Sequence, residues 1–412
     1  MKYRMEEITE SCLGKMLDAQ KNTGEYQPYL ANINVRWGSF DLKNLSLMRF
    51  EEYESERYGV KDGDLVMCEG GEPGRCAIWR EEIPNMKIQK ALHRIRANKD
   101  LVDVEYLYYW FLLSGRNNSL RRFFTETTIK HLPGETLKRL EIDLPDMQIQ
   151  KAISKVLSVI DEKITLNNKI NDNLQQQLKL MYDYWFTQFD FPNEDGSPYR
   201  SSGGQMVSAN GVSYPIPADW QVETVFKNRL SSIIKPGVTP FATKTYLATA
   251  EVNGTSISTG NTVDFETRES RANMQPTENS VWFAKMKKSI KHLYLNPTMK
   301  PLIEESILST GFCGLQCSEY SFEYIASFIE HSYFETLKDT LAHGATQEAV
   351  NNDDLAGIAL VIPPDEVLSL YHERTKGIYT QMSKNICENQ ELIRLRDWLL
   401  PMLMNGQATV SD

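Results

Sequence analysis

The sequence predicts an α+β chain in which two similar globular domains alternate with two long helices that pack as an antiparallel coiled coil. Three observations lead there. First, short strings recur in order about 217 residues apart. Tyr29-Leu30-Ala31 returns as Tyr246-Leu247-Ala248, and Asp64-Leu65-Val66 as Ser280-Val281-Trp282. Leu137, Leu140, Ile142, Leu144 and Pro145 return as Leu355, Ile358, Leu360, Ile362 and Pro363. Second, each half begins with short apolar runs punctuated by glycine and proline, which read as strands and turns. Third, each half ends in a long amphipathic run; the one over 146–186 contains neither glycine nor proline.

Taken in chain order, the first domain covers 1–145. Its strand-like VMC and CAIW flank a glycine-rich turn. A helix follows over 146–188, with Pro145 and Asp146 suited to its first turn. Its apolar positions step by three and four through Ile149, Ile153, Val156, Ile160 and Ile164. After a polar break at Asn167-Asn168 they resume at Ile170, Leu174, Leu178, Met181 and Trp185. About 40 residues at 1.5 Å each give roughly 60 Å, and a helix that long needs a partner along its stripe. The second domain, with a linker at 189–206 rich in Gly, Pro, Ser and Asn, covers 189–364. The second helix, in 365–412, offers Val367, Tyr371, Ile378, Met382, Ile386, Ile393 and Leu400, with Asn389 in the stripe as a register-fixing residue. Ile149, Ile153, Val156, Ile160, Ile164, Leu174, Leu178, Ile378, Met382, Ile386 and Ile393 are the expected packing and partner-docking positions.

Composition narrows the class. The 412 residues are 41% apolar and 24% charged, enough for each domain to bury a core. The longest apolar stretch, from Val104 to Leu113, holds Glu105 and is half the ~20 residues of a membrane span. The first ten residues carry no apolar secretion signal, and six scattered cysteines suit a reducing compartment, so a cytoplasmic protein away from membranes is expected. The net charge is −10, of which residues 191–365 contribute −7. No region is a basic arm, so any polyanion contact must use local clusters or a partner's surface.

Catalytic signatures are missing from the sequence. The Gly70-Gly71-x-x-Gly74 loop lacks the Lys-Ser/Thr of a phosphate loop and has Glu69 and Glu72 beside it, so it reads as a tight turn. Cys313-x-x-x-Cys317 and the six histidines fit no zinc spacing, and no metal site is expected. Asp146 with Asp161-Glu162-Lys163 imitates a nuclease pattern, but on one helix the carboxylates stand about 22 Å apart and cannot share a cation. Basic residues do cluster with aromatics. Lys285, Lys287, Lys288, Lys291 and His292 follow VWFA; Arg94, Arg96 and Lys99 follow KIQKAL; Arg116, Arg121 and Arg122 precede Phe123-Phe124. Such groups neutralise phosphates and read bases, or form a solvated face.

Three stretches resemble the specificity (S) subunits of bacterial type I restriction–modification systems. DGDLVMCEGGEPGRCAIW (62–79) looks like the core of that family's target recognition domains. EIDLPDMQIQKAISKVLSVIDEKI (141–164) looks like the start of its spacer helix, and YWFTQFDFPNEDGSPYRSSGGQM (184–206) like the junction leaving it. ALVIPPDEV (359–367) is a weaker copy, and the segment after it lacks the Gln of better matches. The resemblance implies that each domain reads one half of a split double-stranded DNA target. Two readers on a rod can sit about one DNA turn, roughly 34 Å, apart, so the helices would set half-site spacing. It also implies docking of two methyltransferase subunits, with motor–nuclease subunits completing the restricting complex. S-adenosylmethionine, and ATP with Mg2+, would sit on those partners, and this chain would hold no cofactor and catalyse nothing itself. Candidate DNA contacts, on physical grounds, are Arg75, Arg94 and Arg96 in the first domain and Lys285, Lys287, Lys288 and Lys291 in the second. A specificity subunit of a related restriction system, and a coiled-coil scaffold that binds no DNA, are the alternatives.

Overall fold

A computed structural model describes residues 1–18, 20–126 and 130–410. They form two compact units, Met1–Glu162 with Arg394–Asp412, and Lys163–Ile393. The segments read from the sequence follow the order of elements, whereas the compact units cut through both long helices.

In the first unit, β1 is Lys2–Arg4, β2 Thr9–Leu13, β3 Glu25–Leu30, β4 Ser46–Phe50, β5 Leu65–Cys68, β6 Cys76–Ile78, β7 Lys87–Ile88 and β8 Leu92–Ala97. One antiparallel sheet has the order β2-β8-β5-β6, and a second, β4-β3-β7, joins β3 and β7 in parallel. Every residue of β5 is buried, as a continuous apolar run with no alternation requires of a strand covered on both faces. Helix α1 (Val104–Arg116) packs over this sheet; its N-cap Asp103 accepts from the Tyr106 amide at 2.9 Å. Strand β9 (Glu141–Asp143) returns to pair with β1 and leads into α2 (Met147–Tyr182).

Asp146 caps α2 by accepting from the Ile149 amide at 2.9 Å. The buried Gln150 fastens its first turn, donating to the Pro145 and Leu101 carbonyls and accepting from the Asp103 amide. Ile153 and Leu157 on α2 then share an apolar cluster with Leu400 and Leu403 of α5 (Asp365–Met404).

The second unit repeats the plan. Its strands are β10 (Gln221–Thr224), β11 (Ser231–Ile233), β12 (Lys244–Leu247), β13 (Asn261–Val263), β14 (Ala272–Met274), β15 (Ser280–Ala284), β16 (His292–Leu295), β17 (Ser306–Ser309), β18 (Phe312–Cys317) and β19 (Ala359–Ile362). The sheet β11-β18-β15-β16 matches β2-β8-β5-β6, and the parallel pair β12–β17 matches β3–β7. The match extends to register. Met67 pairs with Cys76 and Phe283 with His292, both residues displaced by the same interval; Leu30 pairs with Ile88, and Leu247 with Leu308. The recurrent apolar residues explain themselves: Leu137, Leu140, Ile142, Leu144 and their counterparts Leu355, Ile358, Leu360 and Ile362 are all buried. Gln150 has Leu368 as its counterpart, also buried, so the second half replaces a hydrogen-bonded anchor by an apolar one. Helices α3 (Phe322–Glu330) and α4 (Ser332–Leu341) cover this sheet.

The stretch read as a linker begins inside the core. After α2 ends in a π-turn at Asp183–Thr187, Phe189 and Phe191 are buried, and Phe186 meets Tyr324 and Tyr371 with ring centroids 4.7 and 4.8 Å apart. Aromatic packing therefore fixes the exit from α2; only the following Gly- and Ser-rich residues are exposed turns.

Candidate nucleic-acid interface

The equivalent hairpins β5–β6 and β15–β16 carry tips of equal length and opposite character, EGGEPGR (69–75) and KMKKSIK (285–291). Their surroundings differ as much as their charges.

Tip 69–75 is tied down on its own domain. Asn32 donates to the Gly70 carbonyl at 2.8 Å, the Gly71 amide donates to Lys130, and Glu72 accepts from the Trp37 indole at 2.8 Å. Gly71 and Gly74 have φ of 76° and 96°, the left-handed backbone that makes the turn tight. Arg75 pairs with Glu72 at 2.8 Å and donates to the Asn32 carbonyl, so it braces the turn.

Arg94 is structural, which corrects its expected place at a DNA surface, and Arg96 is partly exposed and engaged by Asp64. The Arg94 side chain is 2% exposed; one nitrogen serves the carbonyls of Glu56, Arg57 and Gly59, and the other pairs with Glu10 at 2.6 Å. Arg96 holds the buried Asp64 with two hydrogen bonds of 2.8 and 2.7 Å. A fork that fits a phosphate fits an internal carboxylate or a ring of carbonyls equally well. Of the neighbouring basic residues, Arg116 pairs with Asp397 at 2.5 Å, and Arg122 is exposed and lies over the Phe123 ring.

Tip 285–291 is held from beneath. Lys338, fully buried on α4, donates to the carbonyls of Ala284 (3.3 Å) and Ser289 (3.1 Å) and pairs with Glu335 at 2.6 Å. Glu335 also meets one ring nitrogen of the buried His292 at 2.9 Å, and Glu330 the other at 2.8 Å. Burial alone would lower the His292 pKa, but the two carboxylates outweigh it and hold it above the usual imidazole value. Burial would raise Glu335, yet hydrogen bonds from His292 and Lys338 keep it below the usual carboxylate value. Sequence reading missed this network because Lys338 and Glu335 lie about 50 residues from the tip they support.

The lysines differ in use. Lys287 pairs with Glu348 at 2.8 Å; Lys291 donates to the Thr249 carbonyl, and burial lowers its pKa. Lys285 is half-buried, with its backbone bound to Gly311 and Val350. Lys288 is exposed at φ 58°, its amide donating to Asp339 at 2.9 Å.

The helix positions also sort. Ile153, Ile160, Leu178 and Met382 are buried; Val156, Leu174 and Ile378 pack at the edges of cores. Ile386 packs on the second domain's cluster of Leu247, Val252 and Ile257, so α5 meets its own domain there. Ile164 and Ile393 are half-buried, and Ile149 is exposed, off the stripe that Ile153 and Leu157 bury, so of its expected packing and partner-docking roles only docking is open to it. Within the second unit the α2–α5 seam is polar from Asn167 to Asn171, beside the apolar contacts of Leu178 and Met382. Asn167 donates to Asn389 (2.9 Å) and Glu388 (2.7 Å), Asn389 to Asn168 (2.9 Å), Asn385 to Asn171 (2.8 Å), and Asn171 to the Met382 carbonyl. Residue numbers rise on one helix as they fall on the other, so the segments are antiparallel.

The nuclease-like carboxylates have other duties. Asp146 is the α2 cap, and Asp161 accepts from the Tyr109 hydroxyl at 2.8 Å and from Arg396 at 2.7 Å. Among the described residues no group of three or more His, Cys, Asp or Glu side chains could hold a metal ion, and no helix is long and apolar enough to cross a membrane.

A family profile described as the type I restriction modification DNA specificity domain matches residues 1–176. The chain is 24% identical over 327 residues to the MjaIX type I restriction enzyme specificity subunit of Methanocaldococcus jannaschii, covering 76% of this chain and 71% of that one. It is 20% identical over 408 residues to the HindI specificity subunit of Haemophilus influenzae, covering 84% and 87%. The crystal structure of a type I restriction-modification S subunit from M. genitalium aligns with 98% of this chain and 95% of its own at 14% identity, with a TM-score of 0.49.

Proposed function

We propose, for a chain that belongs to the specificity subunits of type I restriction–modification systems, that each of its two domains reads one half of a bipartite double-stranded DNA target. It is the non-catalytic recognition subunit of its complex. The observation that carries the reading is the duplicated frame: the same strand order and hairpin register occur twice, on tips with unlike side chains. Two copies of one scaffold with different surfaces suit two half-sites of different sequence.

The helices α2 and α5 set the separation of the half-sites and dock two methyltransferase subunits, and motor–nuclease subunits join to make the restricting form. Exposed apolar side chains on these helices, among them Val159, Leu166 and Trp398, supply surface for such docking. S-adenosylmethionine, and ATP with Mg2+, belong on the partners, and the complex acts on cytoplasmic DNA.

The test maps methylated adenine across the genome of cells with the cognate methyltransferase subunit, with and without this chain. A split motif that requires the chain is expected, and replacing residues 1–145 by another such domain should change one half of it. An active methyltransferase that marks no new motif when the chain is present overturns the reading.

A further inference from the structure

Among the four lysines of tip 285–291, Lys288 alone is exposed. Its ammonium makes no ion pair among the described residues, whereas Lys287 and Lys291 are engaged by Glu348 and Thr249. Lys288 also has the left-handed backbone, φ 58°, that non-glycine residues seldom adopt. Such strain persists only where surrounding structure enforces it, and functional sites are where it concentrates. Here the enforcing contacts are visible. Asp339 takes the Lys288 amide, Glu348 the Lys287 amide through its carbonyl, and buried Lys338 the carbonyls at both sides of the turn. Two apolar side chains stand beside Lys288 and are exposed, Met286 and Ile290, the latter by 58%. A cation flanked by exposed aliphatic groups on a rigid hairpin suits a DNA groove, where phosphates take the charge and thymine methyls take the apolar contact. Of the acidic groups nearby, Glu348 pairs with Lys287, while Asp339 accepts the Lys288 amide and keeps its charge.

We propose that tip 285–291 is the DNA-reading element of the second domain, with Lys288 on a backbone phosphate, Ile290 on a base edge, and Lys338 the residue that positions both from beneath. The assignment rests on the bipartite-target reading above and names the surface that performs it. It also makes the two domains unlike in practice, because the first domain's equivalent tip is bound to Asn32, Lys130 and Trp37 and carries two glutamates.

The experiment uses the full chain assembled with its cognate methyltransferase subunits. Binding to a duplex bearing the methylated motif is followed by anisotropy over a salt series. Lys288→Gly removes the charge while relieving the backbone strain, so the fold is kept. It is expected to weaken binding about three- to tenfold and to lower the slope of log K against log salt by about 0.9. Ile290→Ser should relax sequence preference in one half of the motif only. Lys338→Met should weaken binding in the wild-type background and add little in the Lys288→Gly background, because it acts through the tip. An unchanged salt slope for Lys288→Gly, or a motif unaltered by Ile290→Ser, overturns the assignment. Losses from Lys338→Met that add in full to those of Lys288→Gly remove Lys338 from the positioning role. If the wild-type complex prefers no sequence at all, the bipartite reading itself has failed, and that result is distinct from either outcome at the tip.

Discussion

Arg94 shows how the same side chain reads differently in one dimension and in three. In sequence it belongs to a basic cluster; in the fold it closes three carbonyls and meets Glu10 from a buried position. Replacing it by Met is expected to cost about 2–3 kcal/mol, since buried carbonyls lose their donor. The loss should appear as a lower melting temperature with no change in the salt dependence of DNA binding. His292 gives a pH prediction with a defined sign. Its raised pKa means that its stabilisation is complete below the ordinary imidazole value of about 6.5 and fades as pH rises through the higher folded value. Glu335, depressed in the fold, stabilises above the ordinary carboxylate value of about 4.3 and loses that contribution as pH falls through its folded value. Calorimetry should show a melting temperature that declines on the alkaline side in the wild type, and a flatter alkaline limb in His292→Gln. Neither residue's role was legible beforehand. A strand pattern says that a position is buried, but the partners of Arg94 and His292 come from 35 to 84 residues away.

At the level of elements, the sequence was most informative where periodicity was strong. The apolar stripe of α2 was legible at Ile153, Ile160 and Leu178, as were the polar interruption at Asn167-Asn168 and the polar Asn389 in the second stripe, whereas Ile170, read in the stripe, is exposed. The pairings Asn385–Asn171 and Asn389–Asn168 were not, because nothing local fixes which turn of one helix faces which turn of the other. These amides now do so. Asn385→Ala, which strips Asn171 of its donor, is expected to cost about 1–2 kcal/mol by urea titration. Replacing Asn171 and Asn385 together by leucine should instead preserve or raise stability while permitting slipped registers, detectable as extra cysteine cross-links between the helices. Ile149 and Leu157 mark the limit of counting by threes and fours. Ile149 fits the series yet is exposed, and Leu157, outside the series as read, is completely buried.

On the scale of the molecule, the duplication was legible because the spaced apolar residues of its clearest marker, a strand running into proline, are buried in both halves: Leu140, Ile142 and Leu144, and Ile358, Leu360 and Ile362. The division into units was not legible, since sequence order places residues 394–410 beside the second domain while the fold assigns them to the first. Truncation before Arg394 is therefore expected to destabilise the first unit. Removal of Leu400 and Leu403 alone forfeits about 3–6 kcal/mol of apolar burial, and limited trypsin digestion should then open α2 near Lys151 and Lys155.

That discontinuity has a consequence during synthesis. A ribosome adds about 5–20 residues each second, so roughly 10–50 seconds separate the emergence of Glu162 from that of Arg394. Throughout this interval the nascent first unit lacks Leu400 and Leu403 from the cluster that holds Ile153 and Leu157, and the bond from Arg396 to Asp161, while everything the second unit requires is already being delivered. The part of the polypeptide made first is thus the part finished last, and any ribosome that stalls in between leaves a sticky, incomplete product for chaperones or proteases to claim.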